Sequence, residues 1–215
     1  MRSKLKKLVN NLAELDTNLD GHPEEIIPAD DTQLKRIEKL IISRRIFMGI
    51  DPGIANGAIA IIDSDKNILY NANLPTTDKQ VKRISKKTGK SVNRKMAELD
   101  MYALRAHMLN YNVTAITVII EKVHAMNTVG EKQGISSSGR FMKACGLLEG
   151  LFIGMGVKVE LISPQAWKKS LGLLKKEKED SLKLAEEIFD VKFKYKYMHN
   201  QAESLLIAYY GMKNL

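Results

Sequence analysis

The sequence holds a single cysteine, Cys145, in 215 residues. That excludes an internal disulfide framework and any CxxC metal cluster. No stretch approaches the ~20 consecutive apolar residues that a membrane span requires. The N-terminus, Met1 to Leu12, is basic, but neither an apolar signal core nor a small-residue cleavage site follows it. Internal repeats and low-complexity tracts are also missing. These absences lead to the expectation of a soluble, cytoplasmic protein with no membrane partner. What is present suffices for a globular domain: at 44% hydrophobic the chain can bury a core, and its length favours one domain with an appendage.

Positive charge is in surplus, 34 Lys and Arg against 25 Asp and Glu, and it is unevenly placed. Residues 1–45 carry nine basic and eight acidic residues, whereas 46–215 carry 25 and 17. The excess therefore belongs to the larger part. Within it, Lys79 to Lys95 holds eight basic residues and no acid. This run includes Lys82, Arg83, Lys86 and Lys87, and further lysines gather at 168–178 and 192–196. Such density suits a polyanion, because each phosphate neutralised releases condensed counterions. The plainer alternative is a solvated lysine-rich face.

The first 45 residues read as a mainly helical extension of unknown role. Leu5, Leu8, Leu12 and Leu15 have helical spacing, and Thr32 is placed to cap a short basic helix. Asp16, Asn18, Asp20 and Gly21 imitate the start of a calcium loop. Pro23 and Ile27 stand at its eighth and twelfth positions, where the last should be a bidentate Glu, so an acidic turn is the better reading.

From Ile46 the pattern changes to α/β. Strands are expected at Ile46–Ile50, Gly57–Ile62, Ile68–Leu74, Ala115–Glu121 and Val157–Ile162. Helices are expected at Arg94–Leu109, Arg140–Met155, Pro164–Lys168, Glu177–Phe189 and His199–Met212. The Lys79–Arg94 segment reads as a long polar loop, and Gly130–Gly139 as a glycine- and serine-rich one. Three strands, then alternating helices and strands, imply a mixed sheet with helices on both faces.

Three acids sit where apolar surroundings make them costly. Asp51 ends the strand in FMGIDPG, Glu121 ends the strand in ITVIIE, and Glu203 lies on an apolar helix in HNQAESLLIAYYG. Strand ends are also where open α/β sheets place ligands. Each has a simpler explanation: a turn at Asp-Pro-Gly, a pair with Lys122, an exposed first helical turn. Taken together they suggest a site for Mg²⁺ or Mn²⁺, which favour oxygen ligands. His124 reads as a strand-end residue, and Trp167 as core in preference to a base-stacking platform.

GIDPG with its following strand, IIEKVHAM, SPQAWKKSLGL and HNQAESLLIAYYG, in that order, resemble the RuvC-type Holliday junction resolvases, specifically their phage-like branch. The likeness spans about Ile46 to Met212. It implies a ribonuclease H-like fold with a mixed five-stranded sheet, and a homodimer that nicks opposing strands of a four-way DNA junction. It also implies two Mg²⁺ ions, with no nucleotide cofactor. Asp51, Glu121 and Glu203 match the family's catalytic acids, though Ser204 replaces an alanine. The family's further acid or histidine falls by strict spacing on Asn200, while this chain offers His199 one residue earlier as the fourth ligand. Lys168 and Lys178 match basic residues near the scissile phosphate, and Arg140 is a further candidate for phosphate. GIDPG alone is shared with sugar kinases and actin-like ATPases, but about 170 residues do not hold their two lobes. A junction-binding protein that does not cut, and a ribonuclease H-like nuclease for other branched or hybrid substrates, are the remaining alternatives.

Overall fold

A computed structural model describes residues 45–84, 88–111, 115–123 and 135–215. The extension before Arg45, His124, the segment 124–134, Lys86 and Lys87, and the Arg83 side chain lie outside the described residues. The five expected strands form one sheet. They are β1 (Ile46–Asp51), β2 (Ala58–Asp63), β3 (Ile68–Asn73), β6 (Ile116–Glu121) and β7 (Lys158–Ile162). Their order is β3-β2-β1-β6-β7. The first three run antiparallel, and β6 and β7 are parallel to β1 and to each other. This is the mixed five-stranded sheet expected from the sequence.

Five helices follow in chain order: α1 (Met101–Met108), α2 (Ile135–Gly154), α3 (Pro164–Ser170), α4 (Lys178–Phe189) and α5 (His199–Asn214). They divide between the two faces of the sheet. Met48, Ile50, Ile59, Ile61, Val118 and Ile120 pack with Leu104 and Met108 of α1 and Leu148 and Phe152 of α2. Phe47, Ala60, Ile62 and Ile119 pack on the other face with α3, α4 and α5. A sheet covered on both sides buries most residues of its central strands, which is why β1, β2 and β6 read as nearly unbroken apolar runs. Among the described residues no helix is long and apolar enough to cross a membrane.

Three expectations need correction. The Lys79–Arg94 segment is not a loop: β4 (Thr76–Ile84) and β5 (Ser91–Leu99) pair in register along their whole length as a separate two-stranded sheet. Most of this hairpin is exposed on both faces, so no alternation of apolar and polar residues marked it as strand. The helix expected from Arg94 starts only at Met101, where the Asp100 side chain accepts the Ala103 N–H at 2.9 Å. Its buried positions are Leu104 and Met108, while Tyr102 is 89% exposed. Lastly, α2 begins at Ile135, so the second half of the glycine- and serine-rich segment is helical.

Helix α5 lies unusually close to the sheet. A Cβ at Gly49 would collide with the Ser204 carbonyl oxygen and the Ala208 nitrogen, and one at Gly211 would meet the Ile119 side chain. Small residues at Ala202, Ser204 and Ala208 complete the contact, all buried. Replacing Gly49 with Ala is expected to cost at least about 2 kcal/mol, because backbone cannot yield as a side chain tip does. Gly146, mid-helix in α2 with nothing within 4 Å of an added Cβ, provides the contrast. Its replacement by Ala is expected to stabilise by about 0.5–1 kcal/mol. Urea denaturation of both variants checks the pair, and equal effects would contradict the close approach.

Candidate active site

Alternation along the strands decides which residues face α5. Phe47, Gly49 and Asp51 share one face of β1, and Ile119 and Glu121 share the same face of β6. The parallel register sets Ile50 beside Ile120, so Asp51 and Glu121 stand next to each other at the ends of adjacent strands. On the facing helix, Glu203 is buried at 8% exposure, within the stretch of α5 that lies on Gly49. Three carboxylates more than 60 residues apart in the chain thus meet at the C-terminal ends of the two central strands.

Each carboxylate is held differently. Glu203 accepts a hydrogen bond from the Ser181 hydroxyl at 3.2 Å and pairs with Lys168 Nζ at 3.1 Å. Glu121 Oε2 accepts the Trp167 indole N–H at 2.6 Å. Asp51 has neither kind of support among the bonds the structure shows, and it has the most disturbed ionisation. Burial, then the negative charges of Glu121 and Glu203, push its carboxyl well above its usual range, and Lys168 and Lys178 only partly oppose this. Burial raises Glu121 too; the Trp167 hydrogen bond works against it, Glu203 adds to it, and Lys168 opposes it. The site thus sets three carboxyl groups against two lysines.

The basic residues take distinct places. Lys168 reaches Glu203 from α3 and stands over the Trp167 ring, 5.0 Å from its centroid. Lys178 opens α4, and its Nζ lies 3.3 Å from His199 Nε2 at the exposed start of α5. Asn200, the alternative to His199, is committed to the turn after β1, where its side-chain amide donates to the Asn56 carbonyl at 2.6 Å. Arg140 lies on α2 and donates to the Ala97 carbonyl of β5 at 2.6 Å, beside a groove lined by Ile54, Leu99, Ala144 and Leu147. Lys82 is exposed on β4, where Arg83 is paired in register with Val92.

Trp167 is core, as expected: it has no exposed surface. Its bond to Glu121 was not anticipated. A contact across 46 residues leaves no trace in local pattern, and a lone tryptophan after Ser-Pro-Gln-Ala gives no reason to look for one. Ser181, which holds Glu203, escaped notice for the same reason.

The donor set consists of carboxylate oxygens, which fits a hard divalent cation and not zinc. The side chains are not gathered around a single point: among the described residues no three His, Cys, Asp or Glu groups form a ready metal cage. Glu203 turns toward Lys168 and Ser181, and Glu121 toward Trp167.

Solved structures provide a comparison. Thermus thermophilus RuvC in complex with Holliday junction substrate aligns at a TM-score of 0.47 with 13% identity, over 77% of this chain and 91% of that one. A second Thermus thermophilus RuvC structure gives 0.44 and 16%, over 77% and 92%. The yeast mitochondrial Holliday junction resolvase Ydc2 gives 0.39 and 13%, over 87% of each chain. No family model matches the sequence, and no curated protein does.

The raised Asp51 carboxyl has a consequence for stability. A group that holds its proton more tightly when folded stabilises the fold below its unfolded value, near 3.8, and that contribution is lost as pH rises through the folded value. At pH 8, in chelator, Asp51→Asn is therefore expected to melt at a higher temperature than the parent. The difference should shrink steadily toward pH 4. Thermal melts across that range check it, and a pH-independent difference would contradict the burial of an ionised Asp51.

Proposed function

We propose that the protein is a metal-dependent endodeoxyribonuclease acting on branched DNA, with the four-way junction as its preferred substrate. The observation that carries this reading is the meeting of Asp51, Glu121 and Glu203 at one end of the central strands, with Lys168 among them. The motif likeness in the sequence agrees with it. Mg²⁺, or Mn²⁺ in its place, would be held by Asp51 with Glu203 and by Asp51 with Glu121, and when bound supplies an activated water and charge neutralisation at the leaving oxygen.

The chain's own groups do the rest. Asp51, whose carboxyl is pushed up by burial and by its two acidic neighbours, would be among the residues that hold the cation. Trp167 fixes the orientation of Glu121 through its indole N–H. Lys168, already at Glu203, is placed to stabilise the charge that builds on the phosphoryl oxygens. His199, beside Lys178, would serve at the rim as the fourth ligand or as a proton relay. Water attacks phosphorus, the bond to the 3′-oxygen breaks, and the products are a 5′-phosphate and a 3′-hydroxyl. The protein forms no covalent intermediate. Cys145 is unsuited to one in any case, since burial pushes its thiol up and away from the thiolate form. Paired nicks across a two-fold substrate call for two copies of the site, hence a homodimer.

Incubation of the protein in Mg²⁺ with four-way, three-way, flap, linear and RNA–DNA hybrid substrates tests the reading. The four-way junction is expected to be cut in preference, with ligatable ends. Asp51→Asn should abolish cutting, and Lys168→Ala should slow it by about 10²–10³-fold. Equal cutting of linear duplex would overturn junction selectivity. A four-way junction bound but left intact in both Mg²⁺ and Mn²⁺ would overturn the nuclease itself, in favour of a binding protein.

A further inference from the structure

The β4–β5 hairpin begins and ends at the end of the sheet that bears the acids. Asn73, which closes β3, pairs with Ala58, and Ala58 pairs with Asp51. Leu74 then donates to the Gly57 carbonyl at 2.8 Å, and Asp100 donates to the Pro75 carbonyl at 2.8 Å, so the two feet of the hairpin are pinned together there. Toward its base, β5 rests on α2 through Ala97 and Arg140 and through Glu98 and Leu99 at the groove. Beyond that both strands are mostly exposed, and Ile84 at the far end is 75% exposed. Each strand has nine residues, so the ribbon is about 27–30 Å long at ~3.4 Å per residue.

Its charges are arranged along that length. Near the base, Lys79 pairs with Glu98 at 3.7 Å and Lys95 with Asp78 at 3.5 Å. Further out, no described carboxylate pairs with Lys82, Lys90 or Arg94. Register places Lys82 opposite Asn93 and Arg94 opposite Val81, so these two cations occupy opposite faces of the ribbon at nearly the same height. A free two-stranded ribbon is marginally stable in water, and unpaired like charges on it repel. A polyanion on both sides relieves that repulsion, and a single phosphate strand on one side does not. The groove of a B-form duplex has phosphates on both walls, and its major groove admits a two-stranded ribbon.

We infer that the β4–β5 hairpin is a duplex-arm clamp. It lies in a groove of double-stranded DNA beside the active site, contacts phosphates up to about eight base pairs away, and does so without reading sequence. The inference rests on the nuclease reading for the identity of the polyanion. It extends that reading from the point of cleavage to an arm of the substrate.

The test compares the full chain carrying Asp51→Asn with the same protein carrying also Lys82→Ser, Lys90→Ser and Arg94→Ser. Binding is measured in Mg²⁺ to four-way junctions whose arms run from about 5 to about 15 base pairs, at several salt concentrations. Circular dichroism establishes that both proteins are folded. With the hairpin intact, affinity should climb as the arms lengthen through about eight base pairs. The triple substitution should remove that gain, weaken binding to long arms by about tenfold or more, and lower the salt slope by about 2–3. Identical arm-length dependence and identical slopes would overturn the clamp. Equal hairpin dependence on A-form RNA arms, whose deep major groove is too narrow for a ribbon, would overturn its assignment to a B-form groove. Cleavage by the parent protein is scored separately, so loss of the nuclease reading and loss of the clamp give different results.

Discussion

The backbone of α5 rests directly on Gly49 of β1, and the geometry of the acids depends on that contact. A side chain at this position would push Ser204 and Ala208 away from the strand. Glu203 sits one residue before Ser204, and Asp51 two residues after Gly49, so the separation of helix and strand sets the separation of the two carboxylates. Gly211 against Ile119 fixes the other end of the helix over β6. The fold thereby holds three like charges together in a poorly solvated place, which no local interaction favours.

That cost is visible in the site itself. Lys168 and the Ser181 hydroxyl support Glu203, and the Trp167 indole supports Glu121. Asp51 is left with the largest burden, and its carboxyl is pushed up by burial and by both neighbours. Trp167 and Lys168 are consecutive on α3, so one short helix, started by Ser163 and Pro164, serves two of the three acids. On the proposed reading a cation would relieve this burden, and the basic residues nearby would meet the polyanion that comes with it.

Much of this was legible in the sequence, for physical reasons. Strands covered on both faces must be apolar throughout, so β1, β2 and β6 stood out, and an acid ending such a run is conspicuous. The hairpin was not legible, because strands exposed on both faces carry no alternation and its lysines looked like a loop. The helix after it was misplaced because Met96 and Leu99, which are strand residues, happen to continue the spacing of Tyr102 and Ala106. Gly49 gave no sign of its role, since a glycine inside FMGID is ordinary until a helix is seen lying on it. The hydrogen bonds to Glu121 and Glu203 join distant segments and could come only from coordinates.

On the proposed reading, Asp51, Glu121 and Glu203 act together as one cation-binding unit. Calorimetric titration of the protein with Mn²⁺ near pH 6, in two buffers of different ionisation heat, tests it most directly. The account predicts saturable binding with release of protons from the raised carboxyls, and a loss of affinity on Asp51→Asn exceeding the roughly 10–100-fold that outer-shell changes cost. Mn²⁺ binding of the same affinity and the same proton release in the parent and in Asp51→Asn would contradict it.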